Sequence, residues 1–258
     1  MERLSLATRQ RLAVLAGLGG VTLLAWVQLV RIGWNMDAAM QAGVGCALHP
    51  WGRTDAALTF AMWAVMMVGM MLASATPMSL LFASVARRAR AQGSAVAPTF
   101  VFVAGYVAVW TLFSVAATAV QWGLERAALI SPMLESTSPA FGGALLAAAG
   151  LYQFTSWKDS CLDHCRSPAL FFAAHWREGA LGAFRMGAEH GVYCLGCCWL
   201  LMGLLFFGGV MNLLWVAGIA LFVMLEKLAP HGAAAGRLAG VLLLVAGGAQ
   251  LAAWSSGG

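Results

Sequence analysis

The chain has 258 residues, of which 61% are hydrophobic and only 10% charged, with a formal net charge of +5. Soluble domains carry about 25% charged residues, so a water-soluble fold is excluded, and so few cations give no basis for a nucleic-acid partner. Residues 1–258 read as a single integral membrane domain, an all-α polytopic transmembrane helix bundle of about seven spans in the lipid bilayer.

In chain order, the first span is 12–30, between Arg11 and Arg31. It lacks a small-residue cleavage site, so it is read as a retained helix rather than a removed signal peptide. The second, 56–86, is long enough to need tilt or a kink near Pro77. The third is 98–122 and the fourth 139–157, followed by a polar stretch, 158–185, with a short apolar patch at 169–174. The fifth is 186–207, with a tight turn at Gly208 and Gly209 into a sixth at 211–228, and the seventh is 238–254.

Basic residues set the orientation. With the N-terminus cytoplasmic, the inner segments hold Arg3, Arg9, Arg11, Arg87, Arg88, Arg90, Lys158, Arg166, Arg177, Arg185, Lys227 and Arg237, against Arg31, Arg53 and Arg126 outside. The expected location is a bacterial cytoplasmic (inner) membrane, N-terminus in and C-terminus out. Trp34, Trp51, Trp122, Trp157 and Trp254 near span ends fit interfacial anchoring.

The fifth span carries Met186, His190, Cys194, Cys197 and Cys198. At about 100° per residue, these five fall within about 120° of one another on a helix. Imidazole, thioether and three thiols on one face suit a soft metal ion, Cu(I) by preference and Zn(II) as the alternative. Small buried residues packing a helix interface are the competing explanation, which Gly187, Gly191 and Gly196 also suit. Glu189, about 100° off the stripe, is either a functional carboxylate or an ion-pair partner of Arg185 or of another helix.

Two further groups add to this. Cys161, His164 and Cys165 share a helical face in the preceding inner segment, where a reducing compartment keeps thiols free. Met62, Met66 and Met70 recur at every fourth position in the second span, with Met67, Met71 and Met78 forming a parallel row. Methionine also serves as adaptable core packing; beside a Cys/His stripe it suits Cu(I). The spacing is like the Met-x-x-x-Met element of eukaryotic copper importers, a likeness of one motif. Outer thioethers and inner thiolates would grade the affinity for Cu(I) along the chain. Cys46 and His49, spaced Cys-x-x-His in the first outer loop, are a candidate capture site.

The runs Tyr152 to Pro168 and Trp176 to Trp199, with Gly208-Gly-Val-Met-Asn-Leu and Glu226-Lys-Leu-Ala-Pro, resemble an uncharacterised bacterial family of predicted metal-binding integral membrane proteins, over roughly 56–250. The resemblance implies metal binding through Cys and His without a reaction or an identified metal.

Three functions compete. The first is a membrane protein that binds, transports or handles a soft metal, with a metallochaperone or another membrane protein as partner. The second is a membrane metalloenzyme or redox protein with a fixed centre, assisted by Glu189, Tyr193 or Tyr152. In the third, a structural metal or Cys-rich packing staples helices.

Overall fold

The computed structural model describes residues 2–41, 51–131, 134 and 136–256. It is all-α, built from α1 (Glu2–Gln41), α2 (Arg53–Met71), α3 (Thr76–Ala91), α4 (Thr99–Arg126), α5 (Pro139–Tyr152), α6 (Ser156–Arg166), α7 (Pro168–His175), α8 (Gly179–Gly203), α9 (Leu205–Gly208), α10 (Leu213–Leu228) and α11 (Gly232–Ser256).

Five stretches are long and apolar enough to cross a membrane: Thr8–Asn35, Arg53–Met71, Thr99–Arg126, Gly179–Gly208 and Gly232–Ser256. The remaining two expected spans are shorter. At 1.5 Å per residue, α5 and α10 reach only about 21 and 24 Å, against a hydrocarbon core of about 30 Å. Both still reverse the chain direction. Trp26 donates to the Gly69 carbonyl and Arg87 to Gln10, so α2 and α3 run back along α1. Trp63 on Gln121 and Tyr106 on the Met71 carbonyl set α4 antiparallel to α2. Leu145 faces Gly203, and Tyr152 donates to the Gly196 carbonyl, which sets α5 antiparallel to α8. Trp215 donates to Leu204 and Lys227 reaches Cys194, which sets α10 antiparallel to α8. Among the described residues, seven helical passes, five of them long enough to cross a membrane, therefore alternate in direction, and α6 and α7 continue the short α5 pass alongside α8.

The kink expected near Pro77 is a break. α2 ends at Met71, a 3-10 turn covers Ala73–Ala75, and Pro77 stands in the first turn of α3, where its missing N–H costs no hydrogen bond. The fifth span begins earlier than its apolar stretch suggests, at Gly179.

Glycines set the closest helix approaches. A Cβ on Gly105 would strike the Phe184 carbonyl, and one on Gly187 the Phe102 carbonyl. α4 and α8 therefore lie parallel at backbone contact, as small residues allow in membranes. Gly143 and Gly150 also bring α5 close to α11 at Gly247 and Gly240, though less tightly. Outside this packing, Leu23, Leu24, Leu112, Leu214, Leu238 and Val245 are exposed on the bundle surface, a face suited to lipid. Trp34, Trp122, Trp157 and Trp254 are exposed as well.

Candidate metal centre

One buried core joins the two sets of soft side chains. Met66, Met67, Met70 and Met71 of α2 share it with Cys194, Cys197, Cys198 and Met202 of α8 and with Cys161 of α6. Met62, one turn toward the start of α2, is half-buried against the same core. Met78 and Met186 belong to a second, aromatic cluster with Phe82, Phe102, Phe171 and Phe172. The methionine row therefore divides at the α2–α3 break.

α8 positions the stripe by its own periodicity, and His190, Cys194, Cys197 and Cys198 all point inward and are buried. The Cys197 and Cys198 thiols donate back to the Cys194 carbonyl, at 3.1 and 3.0 Å. The Cys194 sulfur meets groups from two other helices. Lys227 Nζ of α10 donates to it at 2.8 Å, and the Tyr106 hydroxyl of α4 lies 3.0 Å away. Tyr106 also donates to the Met71 carbonyl at 3.0 Å, and Lys227 to Ser74 Oγ at 3.3 Å. Four elements, α2 with its 3-10 turn, α4, α8 and α10, thus converge on one sulfur midway along α8.

α6 brings the second cysteine pair to the first group. Cys165 packs, half-buried, against the same core as Cys194 and Cys197. Cys161 reaches α8 over Gly196, where a Cβ would stand 2.6 Å from its sulfur. The thiols of 161–165 and 194–198 therefore face one another across α6 and α8, and all five described cysteines are free. His164 does not join them. Its ring stacks on Tyr193 at 4.1 Å, and its Nδ1 meets the Ser160 carbonyl at 2.7 Å.

His190 is buried between aromatic rings, 5.4 Å from Tyr106 and 6.3 Å from Phe102. Its Nδ1 has no hydrogen-bond partner among the described residues. Buried polar nitrogens nearly always find a partner, so an orphaned imidazole nitrogen one turn from Cys194 is a mark of ligand capacity. Among the described residues, no three His, Cys, Asp or Glu side chains are disposed as a preformed metal site. The hydrogen bonds give the reason. Two thiols are turned onto a backbone carbonyl, and the third sulfur is engaged by an ammonium. Rotation about χ1 of Cys197 and Cys198 frees them, because a neutral S–H is a weak donor.

Lys227, Tyr106 and Ser74 belong to this site and have no counterpart in the sequence motif. Lys227 reads from sequence as an orientation charge, yet it is buried among sulfurs and hydroxyls. The neighbouring Glu226 is separately saturated: Lys158 Nζ bonds both its carboxylate oxygens, at 2.7 and 2.9 Å, and Gln153 as well. Glu189 pairs with Arg177 at 2.8 Å, the ion-pair alternative with a different arginine from Arg185. Cys46 and His49 lie outside the described residues.

No curated protein and no solved structure matches the chain. The metal left open by the sequence resemblance is named by a family comparison: residues 60–250 match the family described as "PpoB2: Copper chaperone", and the chain belongs to that family.

Proposed function

We propose that the protein is a membrane-embedded copper chaperone that binds Cu(I) at His190, Cys194, Cys197 and Cys198, with Cys161 and Cys165 alongside, and passes it to a protein partner. The orphaned His190 Nδ1, buried one turn from the Cys194 sulfur, is the observation that carries this reading. Thiolate and imidazole together favour a soft ion in low coordination, and the family's copper designation favours Cu(I) over Zn(II).

Met62, Met66 and Met70 supply a thioether approach that leads into the same core. With the N-terminus in the cytoplasm of a bacterial cell, Met62 lies outward and the thiols lie further in, so the ion meets progressively stronger ligands. The chain's own groups do the rest. Lys227 sets a positive charge against the sulfur that gains negative charge when copper displaces its proton, and Tyr106 can turn its O–H from the Met71 carbonyl to that sulfur.

The test is metal content and Cu(I) affinity after anaerobic purification in detergent. Wild type is expected to hold a tight equivalent with sulfur ligands by X-ray absorption, and Cys194→Ser/Cys197→Ser to lose it by at least about a hundredfold, two interactions of about 1.4 kcal/mol or more. Equal, low copper in both proteins would sink the proposal. A tight zinc equivalent in place of copper would turn it toward a structural site.

A further inference from the structure

His164 and His175 stand outside the thiol centre, and they line a single cavity of about 240 Å³ together with Asp163, Ser167 and Phe171. α6 presents His164 in its last turn and α7 presents His175 in its last turn. The two rings face each other edge-on with centroids 6.5 Å apart. Each is held by stacking: His164 on Tyr193 at 4.1 Å, His175 on Phe171 at 4.8 Å.

The hydrogen bonds fix the chemistry of both rings. His164 Nδ1 meets the Ser160 carbonyl at 2.7 Å, and His175 Nδ1 meets the Phe171 carbonyl at 3.0 Å. A carbonyl oxygen only accepts, so both Nδ1 atoms carry the proton. In the neutral rings both Nε2 atoms then carry the lone pair. This is the arrangement by which metal-binding imidazoles are oriented and made more basic. Two imidazoles holding one ion through Nε2, at about 2.0 Å each, place their centroids about 6 Å apart when the ion is two-coordinate. The observed centroid spacing of 6.5 Å is close to that value.

We propose that His164 and His175 form a second, weaker copper station, an imidazole pair beside the thiol centre from which the ion enters or leaves it. The inference rests on the copper-handling reading above. Its position supports the role: Cys165, next to His164 in the chain, packs against the core that holds Cys194 and Cys197, and Phe171 and Tyr193, which hold the two imidazoles, also contact each other. Imidazole binds Cu(I) less tightly than thiolate and is exchanged more readily, as a transfer point requires.

The test is anaerobic Cu(I) titration of the full-length protein in detergent against a competing Cu(I) chelator. Three proteins are compared: wild type, His164→Gln/His175→Gln, and Cys194→Ser/Cys197→Ser/Cys198→Ser. Wild type is expected to take a tight equivalent and a second at least tenfold weaker. The histidine variant should keep the tight one and lose the weak one, and the cysteine variant should do the reverse. X-ray absorption of wild type should then show more nitrogen ligands per copper at two equivalents than at one, where His190 is the only imidazole expected, a readout independent of any variant's folding. A weak equivalent that survives in the histidine variant, or no gain in nitrogen ligation between one and two equivalents, overturns the station. Loss of the tight equivalent bears instead on the thiol centre, so the two readings fail separately.

Discussion

Two lysines are buried within the same region of the bundle, and their partners differ. Lys158 faces a carboxylate: both oxygens of Glu226 and the Gln153 side chain accept from it, so opposite charges cancel and the ammonium is saturated. Lys227, one residue after that same Glu226, faces a thiol sulfur and a serine hydroxyl. Among the described residues it meets no carboxylate, only sulfur and hydroxyl. The first arrangement is complete as it stands. The second is complete only when the sulfurs become negative, which is what binding a soft cation does. A closed ion pair staples α6 to α10, and beside it, on the copper-binding proposal, stands an ammonium whose counter-charge would come with the metal.

The largest effect expected from breaking this contrast is at the closed pair. Glu226→Gln leaves a buried ammonium without its counter-charge, which costs about 3–5 kcal/mol. A large drop in apparent melting temperature in detergent should follow, with Cu(I) affinity of the folded fraction unchanged. The double variant Lys158→Met/Glu226→Leu removes both charges and should recover most of the loss, because a buried pair replaced by apolar residues is often neutral or stabilising. A double variant as unstable as Glu226→Gln would show that the pair does more than staple, and would weaken the comparison.

At the open pair the order of effects reverses. Lys227→Met removes a charge without stranding a carboxylate, so stability should shift by less than about 1.5 kcal/mol, the range of an ordinary core replacement. Cu(I) affinity should fall about tenfold, or 1.4 kcal/mol, because a dithiolate complex of Cu(I) carries a net negative charge that the ammonium offsets in a low-dielectric site. Lys227→Arg should restore part of it. Unchanged copper affinity in Lys227→Met would reduce Lys227 to a packing residue.

How much of this was legible in the sequence follows from the range of each interaction. The face shared by His190, Cys194, Cys197 and Cys198 is set by a single helix, and periodicity alone places them together. The seven alternating passes follow from apolar stretches, although the short α5 and α10 are held by neighbours rather than by their own length. The approach of Cys165 to Cys194 depends on how α6 packs along α8, which spacing does not encode. Lys227 and Tyr106 reach Cys194 from 33 and 88 positions away. Lys227 in particular looks like any inner-side lysine until its burial is seen. The His164–His175 pair is hidden for a related reason: by spacing His164 groups with its cysteine neighbours, while α7, which supplies its partner, is in sequence only a short apolar patch.

The smallest expected effect tests how finely the open pair is tuned. Ser74 lies in the 3-10 turn that separates α2 from α3. Its hydroxyl donates to the Met71 carbonyl at 2.9 Å and accepts from Lys227 at 3.3 Å. That turn exists because α2 stops one turn before Pro77, so the helix break is what aims a serine oxygen at the ammonium. Ser74→Ala removes both of these hydrogen bonds and should cost about 1–2 kcal/mol of stability. Lys227 keeps its contact with Cys194, so Cu(I) affinity should move by less than about threefold, under the 1.4 kcal/mol of a tenfold change. A loss as large as that of Lys227→Met would mean that Ser74 decides where the ammonium sits. The break between α2 and α3 would then be part of the copper site, and the open pair would owe its readiness to the turn as much as to the sulfur it faces.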